Sequence, residues 1–466
     1  MSEELDLVPG LLKMPPGLGE HAAGGFGPMA ALLRLLFARW DAVGLKWVVL
    51  RNADELPDYT RYDVDILVQP DHLRQMLSIV EDVTREKGWS IAGRIQKRFY
   101  TCLMLMRQSS DGSVAFLPLD FFTALEFRGF RYLPLREVLA ARVRTDKGVW
   151  SIPTAWDAAI TLLKEWLPHG RLKANSRDAV QSAAKRDGDH LAQLLSAAVG
   201  AERGAQLAQV ALEGAWERLQ EIRRPRGRSF GLDWCRAAWA NVRHMYRPSL
   251  GMVICLAGAD GSGKSTLAIG LAAKLYKRPF KGIYYVHGNM GVLPRFRDMR
   301  AWLVRKILGR EPVVASEPEH LKGMMDPIPA WKSMMLATYY ALDLCLGRML
   351  LRRLRGQWML VIMDRSFFDY YYQLGHRNCP SWYLDFLLWL IPKPDLLFCL
   401  ADDPDAIHGR KPELTIDEIG REQDILSKLL DKRSYACVLD GRQGADSVIA
   451  KASEKVLAVI CGRREA

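Results

Sequence analysis

The chain has 466 residues, 49% of them hydrophobic and 25% charged, with a net charge of +12. That is room for two or three domains with the composition of a soluble globular protein. The basic balance attracts nucleotides, nucleic acid, anionic glycans or anionic lipid headgroups, and charge alone does not choose among them. Eight cysteines lie scattered, with no CxxC pair and no Cys/His cluster at metal spacing, which fits reduced thiols in the cytoplasm. The N-terminus, MSEELDLVPG, is acidic and lacks the apolar core of a secretory signal.

Residues 1–30 are rich in glycine and proline and predict an irregular lead-in. AALLRLLFARWDAVG follows with helical periodicity, then strands at Lys46–Asn52 and Tyr62–Pro70. A helix with Asp71 near its start and Gly88 at its end comes next, then the strands FYTCLMLM and VAFLPLDFF. From Pro153 to Arg223 the pattern is mostly helical. These pieces predict an α+β domain with a helical tail over 31–222. The basic run Arg223–Arg228 and an amphipathic helix at Leu232–Pro248 form a linker over 223–249. From 250 to 466 strands and helices alternate, which predicts an α/β domain with a parallel sheet flanked by helices. Its most apolar run, Ser333–Leu351, carries Asp343 and Arg348 and reads as a buried helix, short for a membrane span.

ICLAGADGSGKSTLA, Ile254–Ala268, holds the pattern GxxxxGK[ST] between a strand and a helix. Gly258, Gly261 and Gly263 let backbone N–H groups converge on phosphate oxygens, with Asp260, Ser262 and Thr266 completing the loop. Lys264 reaches the terminal phosphates and Ser265 can ligate Mg²⁺. The pattern implies a nucleoside triphosphate, shared by switches, motors and kinases alike. A second apolar strand ends in Asp364-Arg365, placing an acid at the sheet edge near the metal and a fork-shaped cation beside it. Arg410 and Lys411, beyond a third strand, are basic residues suited to closing over the triphosphate.

Residues 250–460 resemble the thymidylate kinase-like group of P-loop kinases, through AGADGSGKST, MDRSFFD, PDLLFCLADDPDAIHGRKPE and ACVLDGRQGADSV. The resemblance implies ATP and Mg²⁺ as cofactors. It implies that Asp260 contacts the acceptor's sugar, that Asp364 positions metal and that Arg365 binds the acceptor's phosphate. Arg410 and Lys411 would cover the phosphates, with Asp440–Gln443 near the adenine. The family's Arg-Glu-Pro-Gly segment is replaced by Ile283–Arg297, so the residues that read thymine and its monophosphate are not evident, and His287 and Arg295 become acceptor candidates. The segments YVH and RKPEL are similar to those of proteins found beside bacterial surface-polysaccharide genes.

In the first half Asp63 and Asp65 stand two apart on a strand, hence on one face, with Asp120 on a later strand as a third carboxylate. Such a set suits Mg²⁺. The arrangement resembles the nucleotidyltransferase superfamily, except that Arg51-Asn52 stand where the family has Gly-Ser. Active transfer, a degenerate binding module and a purely structural pair of acids on a solvent face all stay open.

The expectation is therefore a cytoplasmic, ATP- and Mg²⁺-dependent kinase acting on a sugar, glycan or nucleotide acceptor, in surface-polysaccharide synthesis, with a second, nucleotidyltransferase activity. A thymidylate-type nucleoside monophosphate kinase and a nucleotide-gated assembly protein without an acceptor are the alternatives. No recognisable nucleic-acid module is present, and a peripheral membrane contact and a homodimer stay open as partners.

Overall fold

The computed structural model describes residues 26–60, 63–109, 114–127, 130–225, 249–276, 279–288, 290–294, 327–431 and 433–462. They form two compact units, one within Ala23–His244 and the other from Met245 onward. The lead-in up to residue 25, the amphipathic helix at Leu232–Pro248 and Arg295 lie outside the described residues.

The first unit opens with a helix, Phe26–Ala42, which begins inside the stretch expected to be irregular. Pro28 explains the misreading, because proline is tolerated in a helix's first turn, where its missing N–H has no intrahelical partner to lose. Strands β1 (Trp47–Val49) and β2 (Val64–Val68) pair antiparallel, and a helix, Pro70–Glu86, follows. β3 (Ser90–Lys97), β4 (Tyr100–Gln108) and β5 (Val114–Phe122) form an antiparallel meander. β6 (Leu125–Phe127) and β7 (Phe130–Leu133) make a separate hairpin, and β8 (Val143–Arg144) and β9 (Trp150–Ser151) complete the main sheet. Its order is β3-β4-β5-β2-β1-β9-β8, with β2 and β5 parallel. β2 is buried along its whole length, as a central strand requires. Phe26–Ala42 packs Leu32, Leu33, Leu36 and Trp40 into one core with Trp47, Ile66 and Phe121. Helices Thr154–His169, Ala174–Arg186, Gly188–Val199 and Ala201–Glu213 enclose a second core around Trp166, Leu195 and Leu207. The short pieces β6 to β9 have no clear alternation in the sequence, since strands of two to four residues are too brief to show a period.

The second unit is an α/β layer structure. β10 (Met252–Ala257), β11 (Gly282–His287), β12 (Met359–Asp364), β13 (Leu396–Ala401) and β14 (Ala436–Asp440) form one sheet of order β11-β12-β10-β13-β14. Every pairing is parallel. All five carboxyl ends therefore share one edge, and the chain passes from one side of β10 to the other, the arrangement in which ligands bind outside the strand ends. One face, through Val253, Cys255 and Ala257, packs on helices Ala330–Gly356, Ser381–Leu390 and Ile416–Leu430. On the other face helices Lys264–Leu275 and Ala445–Gly462 touch so closely that a Cβ on Gly270 would come within 2.2 Å of Ile449 Cδ1.

Ala330–Gly356 corrects one expectation. The run at Ser333–Leu351 is half buried: Ala337, Ala341 and Leu344 face the core, while Leu342, Leu346 and Met349 are each about half exposed. By length and composition alone this helix could cross a membrane. Its apolar residues go all round, and the sheet covers only one side of them.

Candidate phosphate site and acidic cluster

β10 is a fully buried apolar strand that delivers its loop, from Gly258 to Gly263, to the sheet's carboxyl edge. Gly258 has φ +145°, and a Cβ there would lie 2.8 Å from Ser262 Oγ and 2.9 Å from Leu400 O, so the turn excludes any side chain. The helix Lys264–Leu275 begins directly after it, pointing its N-terminal N–H groups and positive dipole end at the loop. The Lys264 ammonium is buried and donates to Gly258 O at 2.8 Å, Ala259 O at 2.9 Å and Asp260 Oδ1 at 3.2 Å. It thus lies inside the curve of the loop rather than out in solvent.

β12 runs beside β10 with Leu256 opposite Asp364, which sets the acid next to the loop. Asp364 is 2% exposed. Its Oδ2 accepts from Ser265 Oγ at 3.3 Å and from Tyr285 OH at 2.6 Å, while Oδ1 is buried with no hydrogen-bond partner among the described residues. A buried carboxylate oxygen without a donor is costly. Its position beside the loop hydroxyl fits a cation, so Ser265 and Asp364 form a donor set suited to Mg²⁺, which prefers oxygen ligands and substrate phosphates. His287, at the end of β11, stands with Nδ1 3.7 Å from Asp364 Oδ2 and is largely exposed.

Asp260 gathers the cations. Its Oδ2 accepts from Arg365 Nη2 at 2.7 Å and lies 3.7 Å from Lys411 Nζ, while Lys264 holds Oδ1. Burial pushes this carboxyl up, but Lys264, Arg365 and Lys411 together outweigh burial and hold it below the ordinary range. Arg365 takes up this position with φ +65°, in the left-handed region that a bulky residue seldom enters. Arg410, expected over the phosphates, instead donates to Asp402 and to Ala406 O, so Lys411 is the basic residue of this segment that reaches the loop. The Asp440–Gln443 turn ends β14 on the same edge, where Gly441 lies against Asp402.

Three residues without an assigned role in the sequence prove central. The Tyr372 hydroxyl lies 2.7 Å from Asp369 Oδ1 and 3.1 Å from Gly258 O, and it accepts from Gly258 N at 3.3 Å, tying the loop to the segment after β12. Burial pushes the Asp369 carboxyl up to about 6, with Tyr372, Lys264 and Arg365 opposing. Burial likewise raises Glu422, on Ile416–Leu430, to about 7. Tyr372 and Glu422 share the wall of a cavity of about 80 Å³ with Arg377 and Arg421. The run of tyrosines after Asp364 is the signal that could have found Asp369 and Tyr372, since an acid and a phenol three apart on a helix meet on one face, while nothing local marks Glu422.

In the first unit β2 and β5 align Asp65 directly with Asp120, and Asp63 precedes β2. The three carboxylates each offer an oxygen, all within 4.8 Å of one another. Asp63 is exposed, but Asp65 is 8% and Asp120 4% exposed, so Asp63 and Asp65 are not two acids on a solvent face: one of the pair is buried. Lys164 Nζ stands 3.5 Å from Asp65 Oδ2, and Tyr100 OH donates to Asp120 Oδ2 at 2.9 Å. Arg51, on the segment after β1, has Nε and Nη2 buried without a hydrogen-bond partner among the described residues. Its charge opposes the burial that raises the Asp157 carboxyl.

No family model matches this chain, and no curated protein does. Among solved structures, the crystal structure of thymidylate kinase from Ehrlichia chaffeensis aligns at 18% identity over 45% of this chain and 100% of that one. Its TM-score is 0.29, too low to carry any argument about this protein.

Proposed function

We propose that the second unit is an ATP- and Mg²⁺-dependent phosphotransferase that passes the γ-phosphoryl group to a hydroxyl or phosphate of a sugar, glycan or nucleotide acceptor. The carrying observation is Asp260 held among Lys264, Arg365 and Lys411. A nucleotide switch needs the lysine and the metal acid; it has no use for a carboxylate inside the loop that aims an arginine across it. Mg²⁺, when bound, would neutralise charge spreading over the transferred group, and Ser265 and Asp364 are the residues that would hold it.

The acceptor oxygen attacks the γ-phosphorus, the bond from that phosphorus to the β–γ bridging oxygen breaks, and ADP leaves with the electron pair. The proton of a hydroxyl acceptor passes to solvent or to the ADP phosphate, whereas an acceptor phosphate attacks already deprotonated. Lys264 follows the terminal phosphates, since its present partners are two backbone carbonyls and Asp260, which phosphate oxygens can replace. Arg365 supplies a planar fork to the transferring group or to an acceptor phosphate. Lys411 closes the loop from the far side and excludes water. The cavity beside Tyr372, lined also by Arg377, Arg421 and Glu422, is the recess this reading gives to the acceptor.

The test is ADP release with and without a panel of sugars, glycans and nucleoside monophosphates. Turnover that rises with one acceptor and collapses in Arg365→Ala supports transfer. Turnover indifferent to every acceptor and to Arg365→Ala refutes it, and favours a nucleotide-gated assembly protein. A thymidylate-type kinase is the outcome if thymidine monophosphate alone stimulates.

A second reading rests on its own observation, three clustered carboxylates, Asp63 exposed and Asp65 and Asp120 buried, in a unit that also holds an arginine, Arg51, with buried N–H groups without a partner among the described residues. It supports a divalent-metal nucleotidyl transfer in the first unit, with Arg51 binding phosphate by charge in place of a backbone cradle. Mg²⁺-dependent pyrophosphate release that survives both Asp63→Ala and Asp65→Ala would exclude it. Synthesis of a surface polysaccharide would join the two activities, one activating and one phosphorylating a sugar.

A further inference from the structure

The second unit carries an apolar surface that the phosphate site does not use. On helix Ala330–Gly356 the exposed side chains Trp331, Met335, Leu342, Leu346 and Met349 fall within about 60° of arc at about 100° per residue. They extend over about 27 Å of helix at about 1.5 Å per residue. Helix Ser381–Leu390 lies alongside, joined by Thr338 Oγ1 to Tyr383 OH and by Arg348 Nη2 donating to Leu390 O at 2.8 Å. It adds Trp382, Phe386 and Trp389, exposed by 67%, 53% and 74%. Three tryptophans exposed by 66% or more on two touching helices are far from the scattered single apolar residues of an ordinary surface.

Charge chooses the occupant. The long helix carries Lys332, Arg348, Arg352, Arg353 and Arg355 and a single acid, Asp343, which is fully buried and accepts from Leu293 N at 2.8 Å. Its exposed surface is therefore apolar with a purely cationic fringe. Arg353 continues the apolar stripe at its end, Lys332 flanks its start, and Arg348 sits at the seam with the second helix. Asp385 is the acid of the second helix, and Tyr371 OH donates to it at 2.8 Å. A two-fold copy would set this patch against itself and bring cations to cations, since an isologous contact uses the same surface twice. An anionic bilayer surface meets both features: indole rings settle at the headgroup level, and arginines pair with the lipid phosphates.

We propose that this two-helix face docks the second unit onto an anionic membrane surface, with Trp331, Trp382 and Trp389 entering the headgroup layer and Arg348 and Arg353 binding lipid phosphate. The helix lies in the plane of the interface and does not span it, because its other side is committed to the sheet through Ala337, Ala341 and Leu344. The proposal is independent of the phosphotransfer reading.

The experiment is co-sedimentation of the full chain with vesicles of phosphatidylcholine alone and with about one third phosphatidylglycerol, at low and high salt. The expected result is binding to the anionic vesicles, weakened by salt, and weakened at least about tenfold in Trp382→Ser/Trp389→Ser. A second variant, Arg348→Gln/Arg353→Gln, should lose most of the preference for anionic lipid while retaining the fold by circular dichroism. Both variants should bind a fluorescent ATP analogue as the parent does. Two results overturn the proposal: no binding to anionic vesicles, or binding unchanged in both variants. Sedimentation equilibrium is the third arm. A dimer that Trp382→Ser/Trp389→Ser dissociates would mean that a second copy covers the face, and would also overturn it.

Discussion

The two candidate sites are built with opposite charge. In the second unit one carboxylate, Asp260, is held by three cations on a loop of backbone N–H groups. In the first unit three carboxylates converge, with Lys164 beside one of them. The first arrangement suits an anion, because Asp260 is already satisfied and the cations keep donors to spare. The second suits a cation, because like charges at such range repel unless something positive sits among them. One loop and two paired strands thus make two sites of opposite preference, one suited to an anion and the other to a cation.

The largest expected effect breaks the comparison at its phosphate end. Lys264→Ala should lower nucleotide turnover by about a hundredfold or more, since preorganised donors at a transferring group are worth that order. It should leave metal binding by the first unit unchanged, as read from Mn²⁺ paramagnetic resonance. Asp65→Asn is the converse variant. It should weaken Mn²⁺ binding there by at least about tenfold, outer-shell changes alone costing that much. ATP turnover should stay at the parent level. If Asp65→Asn has no effect on Mn²⁺, the acids are structural and the contrast fails.

A smaller effect concerns acidity. Asp369 and Glu422 are raised from 3.8 to about 6 and from 4.5 to about 7 by burial. The folded chain therefore holds these protons more tightly than the unfolded chain does. Their contribution to stability is complete below the unfolded values and is lost as pH rises through about 6 and about 7. Urea midpoints of the second unit should fall over that window, and Glu422→Gln should flatten the slope near its upper end. A midpoint that stays flat with pH there would show that the two acids are already ionised in the folded state. The smallest effect is Thr415→Ala, which removes the capping box with Glu418 at the start of Ile416–Leu430. It should cost about 1 kcal/mol in urea unfolding, without changing nucleotide affinity.

Much of the second unit was legible because its strands are short, continuous apolar runs closed by glycine or acid, and its loop pattern is local in sequence. Asp364 could be placed at the strand end from the end of the run MLVIM alone. What was hidden depends on register. That Leu256 stands opposite Asp364, and Asp65 opposite Asp120, follows from pairings between residues far apart in the chain, which periodicity does not encode. Arg410 illustrates the same limit. Its place beyond the third strand suggested the phosphates, whereas the structure pairs its guanidinium with Asp402, eight residues earlier. The half-exposed helix Ala330–Gly356 misled for a different reason: an apolar residue on a helix's outer side looks the same in sequence as one on its inner side.

The left-handed backbone of Arg365 carries a consequence of its own. A non-glycine residue in that region costs about 1–2 kcal/mol, which glycine would not incur. Fold and chemistry therefore pull in opposite directions at a single residue. Arg365→Gly should relax the turn while removing the guanidinium from Asp260, giving a protein at least as hard to unfold as its parent and much poorer at transfer. Arg365→Ala would keep the strain and lose the same group. The difference in stability between the two variants would measure how much conformational tension the molecule tolerates in order to aim one side chain.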